Sequence, residues 1–381
     1  MGKTLRIAIV GGGLGGTTAG IMLQQAGYDA KVYEAAPALE RIGAGIHLHS
    51  NVTRVMRAIG VDKKMFEIGL APKSWLSREW DTGRVLYEPS MKEWEQKYGI
   101  PHLIMHRGDM QAVLTSALKP ELLKFGKRLV DLGNRGDSLE MIFADGTREE
   151  ADVVIGADGV NSQVREVLLG QEPPTYTGFV AYRAIFDAAL LGPERVTADT
   201  TKWWSDERLA AKEDRHFIIY YLTAKRDEIY FVTGSPDPNW GGGTSPVPAT
   251  KKEMLECYKG FHPEVQRVIN ACPKVSKWPL LERDPLPLWS KGSIVLLGDA
   301  CHPMKPHMGQ GAGMAIEDAA VLVRCLQLSE DDPAKAFELY RRNRIERTSE
   351  VQRVSHENTW MHYPADESWV FGYDAMTVPL V

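Results

Sequence analysis

Residues 5–16 read LRIAIVGGGLGG, and this stretch decides the fold. The apolar, β-branched run at 5–10 is typical of a strand buried on both faces of a parallel sheet. Apolar residues then recur at helical spacing over 17–25, which predicts a helix directly after the glycines. The run AKVY at 30–33 predicts a second strand, and it is followed by Glu34. These residues therefore predict a complete βαβ unit.

Three glycines of this stretch have separate structural roles. Gly11 permits a tight turn after the strand, Gly13 leaves room for a pyrophosphate, and Gly16 lets the helix lie close to the sheet. The helix N-terminus adds N–H donors and partial positive charge. Glu34 stands where a carboxylate accepts hydrogen bonds from ribose hydroxyls. In this βαβ context the G-x-G-x-x-G pattern indicates dinucleotide binding; the alternative is a glycine-rich turn without a ligand.

Composition excludes several classes of protein. The chain has 381 residues, of which 44% are hydrophobic and 25% charged, so it is neither collagen-like nor disordered. With 45 basic and 50 acidic side chains the formal net charge is −5, which indicates no nucleic-acid partner and no anionic membrane. An anionic ligand must therefore be bound by local positive charge.

Cysteine usage and the apolar runs indicate a cytoplasmic protein. No C-x-x-C pair occurs among the four cysteines, and the apolar runs are far too short to span a bilayer. The N-terminus lacks the pattern of a signal peptide. The sequence is compatible with a monomer and with a homodimer.

A strand followed by glycine and aspartate recurs twice. Residues 151–155 lead into GADG at 156–159, and residues 293–297 lead into Gly298-Asp299. The glycine-rich segment 309–313 then precedes an apolar run that predicts a buried helix. A dehydrogenase needs one dinucleotide cradle, whereas an extended FAD needs a second anchor for its ribityl chain and ring. The sequence therefore favours FAD, with an NAD-dependent dehydrogenase as the distant alternative.

The middle of the chain has a different pattern of residues. Short β-rich, aromatic runs separated by turn-forming residues occur at 179–186, 201–204, 216–222 and 228–233. We therefore predict an α/β fold, in which a Rossmann-like FAD-binding domain carries an inserted, mostly antiparallel substrate-binding sheet and C-terminal helices. The predicted segments are 1–72, 100–175 and 280–330 for the FAD-binding domain, 73–99 and 176–279 for the substrate-binding domain, and 331–381 for a C-terminal helical segment and tail.

The chain resembles the single-component FAD-dependent aromatic hydroxylases of the p-hydroxybenzoate and salicylate hydroxylase type. The motifs that carry the resemblance are GGGLGG at 11–16, HRGDM around Arg107, ADVVIGADGVNSQVR at 151–165 and LLGDACHPMKPHMGQGAGMAIEDA at 296–319. The resemblance implies that the residues in contact with FAD are Gly11, Gly13, Gly15, Gly16, Glu34, Arg107, Asp158, Gly298, Asp299, Gly311, Ala312, Gly313 and Met314.

The resemblance also implies the reaction. A pyridine nucleotide, here NADH, reduces FAD, dioxygen forms a C4a-hydroperoxide of the flavin, and one oxygen atom enters an electron-rich aromatic acid. Stretches such as RIGAGIHL at 41–48 and HFIIYY at 216–221 are similar to the branch of this family that decarboxylates and hydroxylates 6-hydroxynicotinate to 2,5-dihydroxypyridine. The alternatives are a salicylate-type hydroxylase of another aromatic acid and a flavin-binding protein without catalysis.

By the same resemblance, four residues contact the substrate: His47 near the ring hydroxyl, His216 and Tyr220 near the carboxylate, and His302. His216 and Tyr220 are four residues apart, so they share one face of a strand. Residues 209–215 are an insertion relative to that branch. No spacing of further ligands completes a metal site, so none is predicted.

Overall fold

The computed structural model describes residues 5–41, 43–206, 215–330 and 332–381. Residues 209–214 of the predicted insertion lie outside this part of the chain. Within it, no helix combines the length and the apolar character needed to cross a bilayer.

The strands alternate with helices in the first part of the chain and dominate its middle. The strands are β1 (Arg6–Val10), β2 (Asp29–Tyr33), β3 (Gly45–Leu48), β4 (Trp75–Glu79), β5 (Val85–Tyr87), β6 (Leu103–His106), β7 (Leu123–Lys124), β8 (Leu129–Arg135), β9 (Ser138–Phe143), β10 (Arg148–Ala151), β11 (Val153–Gly156), β12 (Thr175–Asp187), β13 (Thr200–Trp204), β14 (His216–Tyr221), β15 (Glu228–Pro236), β16 (Val247–Ala249), β17 (Val275–Glu282), β18 (Ser290–Lys291) and β19 (Ile294–Leu296). The helices are α1 (Leu14–Gln25), α2 (Ser50–Ala58), α3 (Asp62–Ile68), α4 (Met91–Tyr98), α5 (Arg107–Ala117), α6 (Gln163–Leu169), α7 (Lys251–Cys257), α8 (Pro263–Ala271), α9 (Gly311–Leu328), α10 (Pro333–Glu357) and α11 (Ser368–Phe371).

The first sheet brings the three glycine motifs to one edge. Its strand order in the described residues is β18-β19-β11-β1-β2-β7. β1 pairs in parallel with β11, with Val10 opposite Gly156, and β11 pairs in parallel with β19, with Gly156 opposite Leu296. The carboxyl ends of the three strands therefore lie side by side, where open α/β sheets bind their ligands.

The second sheet confirms the mostly antiparallel middle of the chain. Its strand order is β16-β17-β12-β15-β14-β13-β4-β5. Among the described strands of this sheet, β4 and β13 pair in parallel, and the other neighbouring strands pair antiparallel. One face packs on α7 and α8 through a core that includes Trp203, Phe217 and Phe231. The other face turns towards the first sheet. The strands of this sheet lie within residues 75–87 and 175–282.

Several elements differ in detail from the prediction. The helix predicted from residue 17 begins at Leu14, and the one predicted from 314 begins at Gly311, because the glycines themselves form the first turns. The strand predicted at 151–155 is two strands, separated at Asp152, which accepts the Arg6 N–H at 2.9 Å. The tail contains the short helix α11.

Candidate active site

The turn between β1 and α1 is so tight that only glycine fits at two of its positions. Gly11 has φ +105°, and a Cβ atom there would lie 2.3 Å from the carbonyl oxygen of Ala157. A Cβ atom on Gly16 would lie 2.0 Å from the carbonyl oxygen of Gly11. Gly13 differs, because the nearest atom to a Cβ there is the Arg107 guanidinium nitrogen, at 3.9 Å. The turn therefore opens at Gly13, which lines a cavity.

Glu34 holds this turn from the end of β2. Its carboxylate accepts the backbone N–H of Gly12 at 2.8 Å and that of Ala36 at 2.7 Å. An ionised carboxylate has about four lone-pair sites, so two further hydrogen bonds are available to it. Because Glu34 also lines a cavity, ribose hydroxyls can reach it there.

The N-termini of α1 and α9 meet at the same cavity. A Cβ atom on Gly15 would lie 2.7 Å from the Leu297 side chain and 2.9 Å from the Ala315 side chain, so helix and strand approach closely. In the described structure no side-chain hydrogen bond caps either helix. Two uncapped N-termini aimed at one space favour an anion there, as a pyrophosphate or the pyrimidine edge of a flavin provides.

Two cavities of about 1140 Å³ and 400 Å³ share wall residues and so lie side by side; together they are called the channel here. The larger cavity extends to Glu34, and the smaller one extends to Tyr220. The residues common to both are Gly13, Ala44, Arg107, Arg183 and Tyr230. A ligand much longer than a single ring system can therefore lie across the sheet edge.

Charged groups stand along this channel. Arg107 begins α5, and its backbone N–H donates to the carbonyl of Ala44 at 2.9 Å. Asp299 follows β19; it lies deep in the protein, but its side chain is exposed to the smaller cavity. Desolvation by the surrounding protein raises the pKa of Asp299, against the charges of His302 and Arg107. A cation beside the Gly13 turn and an acceptor at the other end fit an extended FAD.

The predicted cofactor residues divide into two groups. Those that line a cavity are Gly13, Gly15, Gly16, Glu34, Arg107, Gly298, Asp299, Gly311 and Ala312. Asp158 instead accepts the N–H groups of Gln163 at 2.7 Å and Val164 at 3.1 Å, so it caps α6. Gly313 packs against α2, and the buried Met314 donates its N–H to the turn before α9. Gly11 lies directly behind Gly16.

One face of the second sheet covers the smaller cavity. The strand register places Lys202 opposite Ile218, and Tyr220 opposite Tyr230. Residues directly opposite each other in antiparallel strands share a face, and all four line this cavity. The alternate residues of the same strands, such as Trp203, lie in the core on the other side.

His47, from β3, also lines the smaller cavity, beside the sheet face that carries Tyr220. Its ring stands edge to face with Tyr220, with ring centroids 4.4 Å apart. His47 Nδ1 lies 2.9 Å from His102 Nε2, and His47 Nε2 has no hydrogen-bond partner among the described residues. Burial, with a smaller effect of His102, keeps the pKa of His47 well below 6.5. A neutral ring with one uncommitted nitrogen can accept a proton from a substrate hydroxyl.

A third histidine completes a cluster that the sequence did not indicate. Ring nitrogens of His47, His49 and His102 lie within 4.8 Å of one another. β3 pairs antiparallel with β6, and His49 follows β3 directly, while His102 directly precedes β6. His49 Nδ1 is 2.9 Å from the side-chain nitrogen of Gln310. Burial keeps the pKa of His49 well below 6.5 and lowers that of His102 to about 3. The geometry admits a metal as well as a hydrogen-bonded cluster of neutral rings.

His216 lies behind the cavity wall and not on it. Its Nδ1 is 3.3 Å from Asn358 Nδ2, and its ring stands edge to face with His307, centroids 5.1 Å apart. His307 lines the cavity, and its Nδ1–H donates to the carbonyl of Ser355 at 2.8 Å. His216 therefore supports residues that face the substrate space.

His302 is also removed from the cavity lining. It is fully buried, and its Nε2 lies 2.5 Å from Asp318 Oδ2. The same carboxylate oxygen accepts the backbone N–H of Gly298 at 3.1 Å, and its partner oxygen accepts Nε–H of Arg344 at 2.7 Å. His302 thus helps to hold the Gly298-Asp299 turn.

Some cavity residues were not predicted from the sequence. They are Trp75, Arg183, Lys202, His307 and Trp360. The strand alternation around Tyr220 would have placed Lys202 on the same face if the register of β13 had been known. Nothing in the pattern of the C-terminal segment indicated Trp360.

Comparison with known proteins identifies relatives over the full chain. The chain is 52% identical to 6-hydroxynicotinate 3-monooxygenase of Bordetella bronchiseptica over 378 residues, covering 99% of this chain and 97% of that one. It is 50% identical to 6-hydroxynicotinate 3-monooxygenase of Pseudomonas fluorescens over 384 residues, covering 100% and 98%. A solved salicylate hydroxylase substrate complex superposes with a TM-score of 0.81 at 24% identity over 98% of this chain and 96% of that one, which shows the shared fold.

The family profile of the FAD binding domain matches residues 4–355, which include β1, the Arg107 region and the Gly298–Gly313 loop. The hydrogen-bond donors, the charges and the missing Cβ atoms of the channel residues fit the cofactor of that family. The chain therefore belongs to the FAD binding domain family of flavoproteins.

Proposed function

We propose that the protein is an FAD-dependent monooxygenase that converts 6-hydroxynicotinate to 2,5-dihydroxypyridine and carbon dioxide. NADH and dioxygen are consumed with two protons, and NAD⁺ and water are released. The observation that carries this proposal is the 50% and 52% identity, over nearly the whole of each chain, with two relatives named for this activity.

FAD, when bound, supplies the reduction of dioxygen and the transfer of one oxygen atom to the ring. Gly13, Arg107 and the first turn of α1 hold its pyrophosphate, and Glu34 accepts from its ribose. Asp299, Gly311 and Ala312 hold the ribityl chain and ring. Gly11, Gly16, Gly298, Gly313 and Met314 shape this cradle through the backbone, and Asp158 does so through its carboxylate, which caps α6.

His47 is the proposed base for the substrate hydroxyl. His47 lines the cavity, its buried Nε2 has no hydrogen-bond partner among the described residues, and its Nδ1 lies 2.9 Å from His102 Nε2. Removing the hydroxyl proton makes the ring electron-rich, which is what an electrophilic oxygen transfer needs. Because burial keeps His47 neutral, it is ready to accept this proton at neutral pH.

Tyr220 positions the ring and donates a hydrogen bond. Burial, followed by the effect of Tyr230, raises the pKa of Tyr220 well above 10, so it remains a phenol. Ile46, Ile218, Val232 and Met308 give the cavity apolar walls that exclude water. We propose that His216 and His302 act as supporting residues and that the His47, His49 and His102 cluster is hydrogen-bonded and holds no metal.

The experiment is product analysis with the purified, FAD-loaded protein. We expect 6-hydroxynicotinate to accelerate NADH oxidation and to yield 2,5-dihydroxypyridine and carbon dioxide in step with the NADH consumed. His47→Gln should lose about 100-fold or more of this rate, the usual range for a general base. His356→Gln is the matched control, because that side chain is 62% exposed.

Two results would contradict the proposal. NADH consumption that yields only hydrogen peroxide would overturn the substrate, and turnover of salicylate but not of 6-hydroxynicotinate would favour a salicylate-type hydroxylase. Replacing NADH with NADPH in the same assay tests the nucleotide.

A further inference from the structure

Gln310 lies between the glycine-rich loop before α9 and the histidine cluster. It directly precedes Gly311, the first residue of α9, and it is buried, with 1% of its surface exposed. Its side chain does not cap α9. The amide instead reaches His49, with Nε2 of Gln310 at 2.9 Å from Nδ1 of His49. One hydrogen bond therefore joins the loop to the histidine cluster.

A series of hydrogen bonds continues from Gln310 to a buried ion pair. Nδ2 of Asn51, at the start of α2, donates to Oε1 of Gln310 at 2.9 Å and to Oε1 of Glu317 at 2.7 Å. Glu317 also accepts from Arg344 and Arg347, each at 2.7 Å. Burial acts to raise the pKa of Glu317, but the charges of Arg347 and Arg344 outweigh it and hold this pKa below 4.5. Glu317 is therefore an ionised carboxylate at neutral pH.

The charge of Glu317 sets the direction of each hydrogen bond in this series. An ionised carboxylate only accepts hydrogen bonds, so the Asn51 atom that faces it is the amide nitrogen. The same nitrogen also donates to the oxygen of Gln310, so the nitrogen of Gln310 faces His49. Because an amide nitrogen only donates, Nδ1 of His49 must accept, and the proton of this neutral ring lies on Nε2.

Gly313 leaves the space that this arrangement needs. A Cβ atom there would lie 2.8 Å from Oε1 of Gln310 and 3.6 Å from Nδ2 of Asn51. A side chain at this position would therefore displace the amide of Gln310. The contact gives a physical reason for glycine at position 313, which lines neither of the two cavities.

We propose that Gln310 is a positioning residue that holds His49 as its Nε2–H tautomer, so that His47 alone in this cluster takes the substrate proton. With its proton on Nδ1, His49 would add a second unprotonated nitrogen to the cluster, whose ring nitrogens lie within 4.8 Å of one another. The proton that His47 shares with His102 would then be drawn towards His49. This inference rests on the proposed function, which makes His47 the base.

The position of the proton on His49 can be measured directly. ¹⁵N NMR of the FAD-loaded protein, labelled at histidine, distinguishes protonated from unprotonated ring nitrogens, and His49→Gln identifies the His49 signals by their loss. We expect an unprotonated Nδ1 and a protonated Nε2 in the wild type. Gln310→Glu replaces the donor with an acceptor of similar shape, so Nδ1 should become protonated. A protonated Nδ1 in the wild type, or an unchanged Nδ1 in Gln310→Glu, would overturn the inference.

Asn51→Leu tests the same series of hydrogen bonds without adding a charge. The amide of Gln310 is then free to turn over, so we expect the NMR signals of both His49 tautomers. The rate of 2,5-dihydroxypyridine formation should fall about 10-fold, part of the ~10²–10⁴ that general acid–base catalysis supplies. The affinity for FAD, measured by flavin absorbance, should change by about twofold or less, since Asn51 lines neither cavity.

Gln266→Glu is the matched control, because its amide donates to the carbonyl of Tyr258 at 2.5 Å, outside both cavities. It should change neither the His49 signals nor the rate. If Gln310→Glu does not bind FAD, Asn51→Leu decides, and mixed tautomers at the full wild-type rate would overturn the positioning role. If the wild type forms no 2,5-dihydroxypyridine, the proposed function fails by itself, and the NMR spectra still decide whether Gln310 sets the tautomer.

Discussion

His47 and His102 form a buried, hydrogen-bonded pair, with Nδ1 of His47 at 2.9 Å from Nε2 of His102 and their rings at 72° to each other. Two neutral rings share one proton across this bond. When His47 Nε2 takes up a proton, the bridging proton can move to His102. His102 therefore sets the tautomer of His47, although it does not line the cavity.

Replacing His102 should thus impair catalysis more than binding. We expect His102→Ala to lower kcat about 10- to 100-fold, part of the ~10²–10⁴ that general acid–base catalysis supplies, with little change in the Kd of the substrate. Steady-state kinetics and flavin absorbance titration measure the two quantities. A large rise in Kd with unchanged kcat would contradict this positioning role.

The pH dependence of kcat provides a second test of the His47–His102 pair. In the wild type, burial and His102 hold the pKa of His47 well below 6.5, so kcat should stay level as the pH falls from about 8 to about 6. In His102→Ala, space opens beside His47 and one charge effect is removed, so its pKa should rise. An inflection in kcat near pH 6.5 is expected in the variant alone, and the same inflection in the wild type would contradict it.

Buried neutral histidines should make the protein sensitive to acid. Burial lowers the pKa of each of His47, His49, His102, His216 and His307. The unfolded chain therefore binds more protons below pH 6.5, and stability falls as the pH falls. Each histidine costs up to about 1.4 kcal/mol at pH 5.5 relative to neutral pH. Urea unfolding followed by tryptophan fluorescence at pH 7.5 and 5.5 measures this loss; an equal midpoint at both would refute it.

A substitution at Gly13 should affect cofactor binding without affecting folding. Its backbone is extended, with φ −69° and ψ −174°, and a Cβ there meets no protein atom closer than 3.9 Å. Gly13→Ala should therefore leave the Tm of the apoprotein unchanged while weakening FAD binding about tenfold or more, since the methyl group enters the pyrophosphate space. Gly133→Ala, at an open position outside the channel, is the control. Normal FAD affinity in Gly13→Ala would show that the pyrophosphate lies elsewhere.

His302 should act on the cofactor and not on the substrate. Its Nε2 contacts the carboxylate of Asp318, and the same carboxylate accepts the backbone N–H of Gly298. We expect His302→Gln to weaken FAD binding about tenfold, with substrate KM nearly unchanged once FAD is saturating, because the loss is about one charged hydrogen bond. A raised KM at saturating FAD would restore the direct substrate contact that the sequence resemblance implied.

The cofactor cradle was predictable because its signals are local. Gly11, Gly13 and Gly16 follow directly after a strand, and the parallel register then brings Gly156 and Leu296 to the same edge. The spacing of those residues follows general rules for parallel sheets, so no distant side-chain contact had to be known.

The substrate side was less predictable because its contacts are long-range. His102 reaches His47 through antiparallel pairing of β3 and β6, and Asn358 reaches Lys202 from the far end of α10. A strand residue such as His216 can also face the cavity or stand one layer behind it, depending on which neighbours intervene. Sequence periodicity predicts which face of a strand a residue lies on, but not whether its side chain reaches the cavity or is covered by a neighbouring residue.

Trp360 comes after the other described residues of the cavity wall in chain order. During synthesis on the ribosome, the segments that hold the cofactor are therefore complete before the substrate cavity is closed. A nascent chain that stops after α9 has its dinucleotide cradle but lacks this part of the wall. The part of the substrate cavity wall that Trp360 forms is thus made after the cradle that binds the dinucleotide.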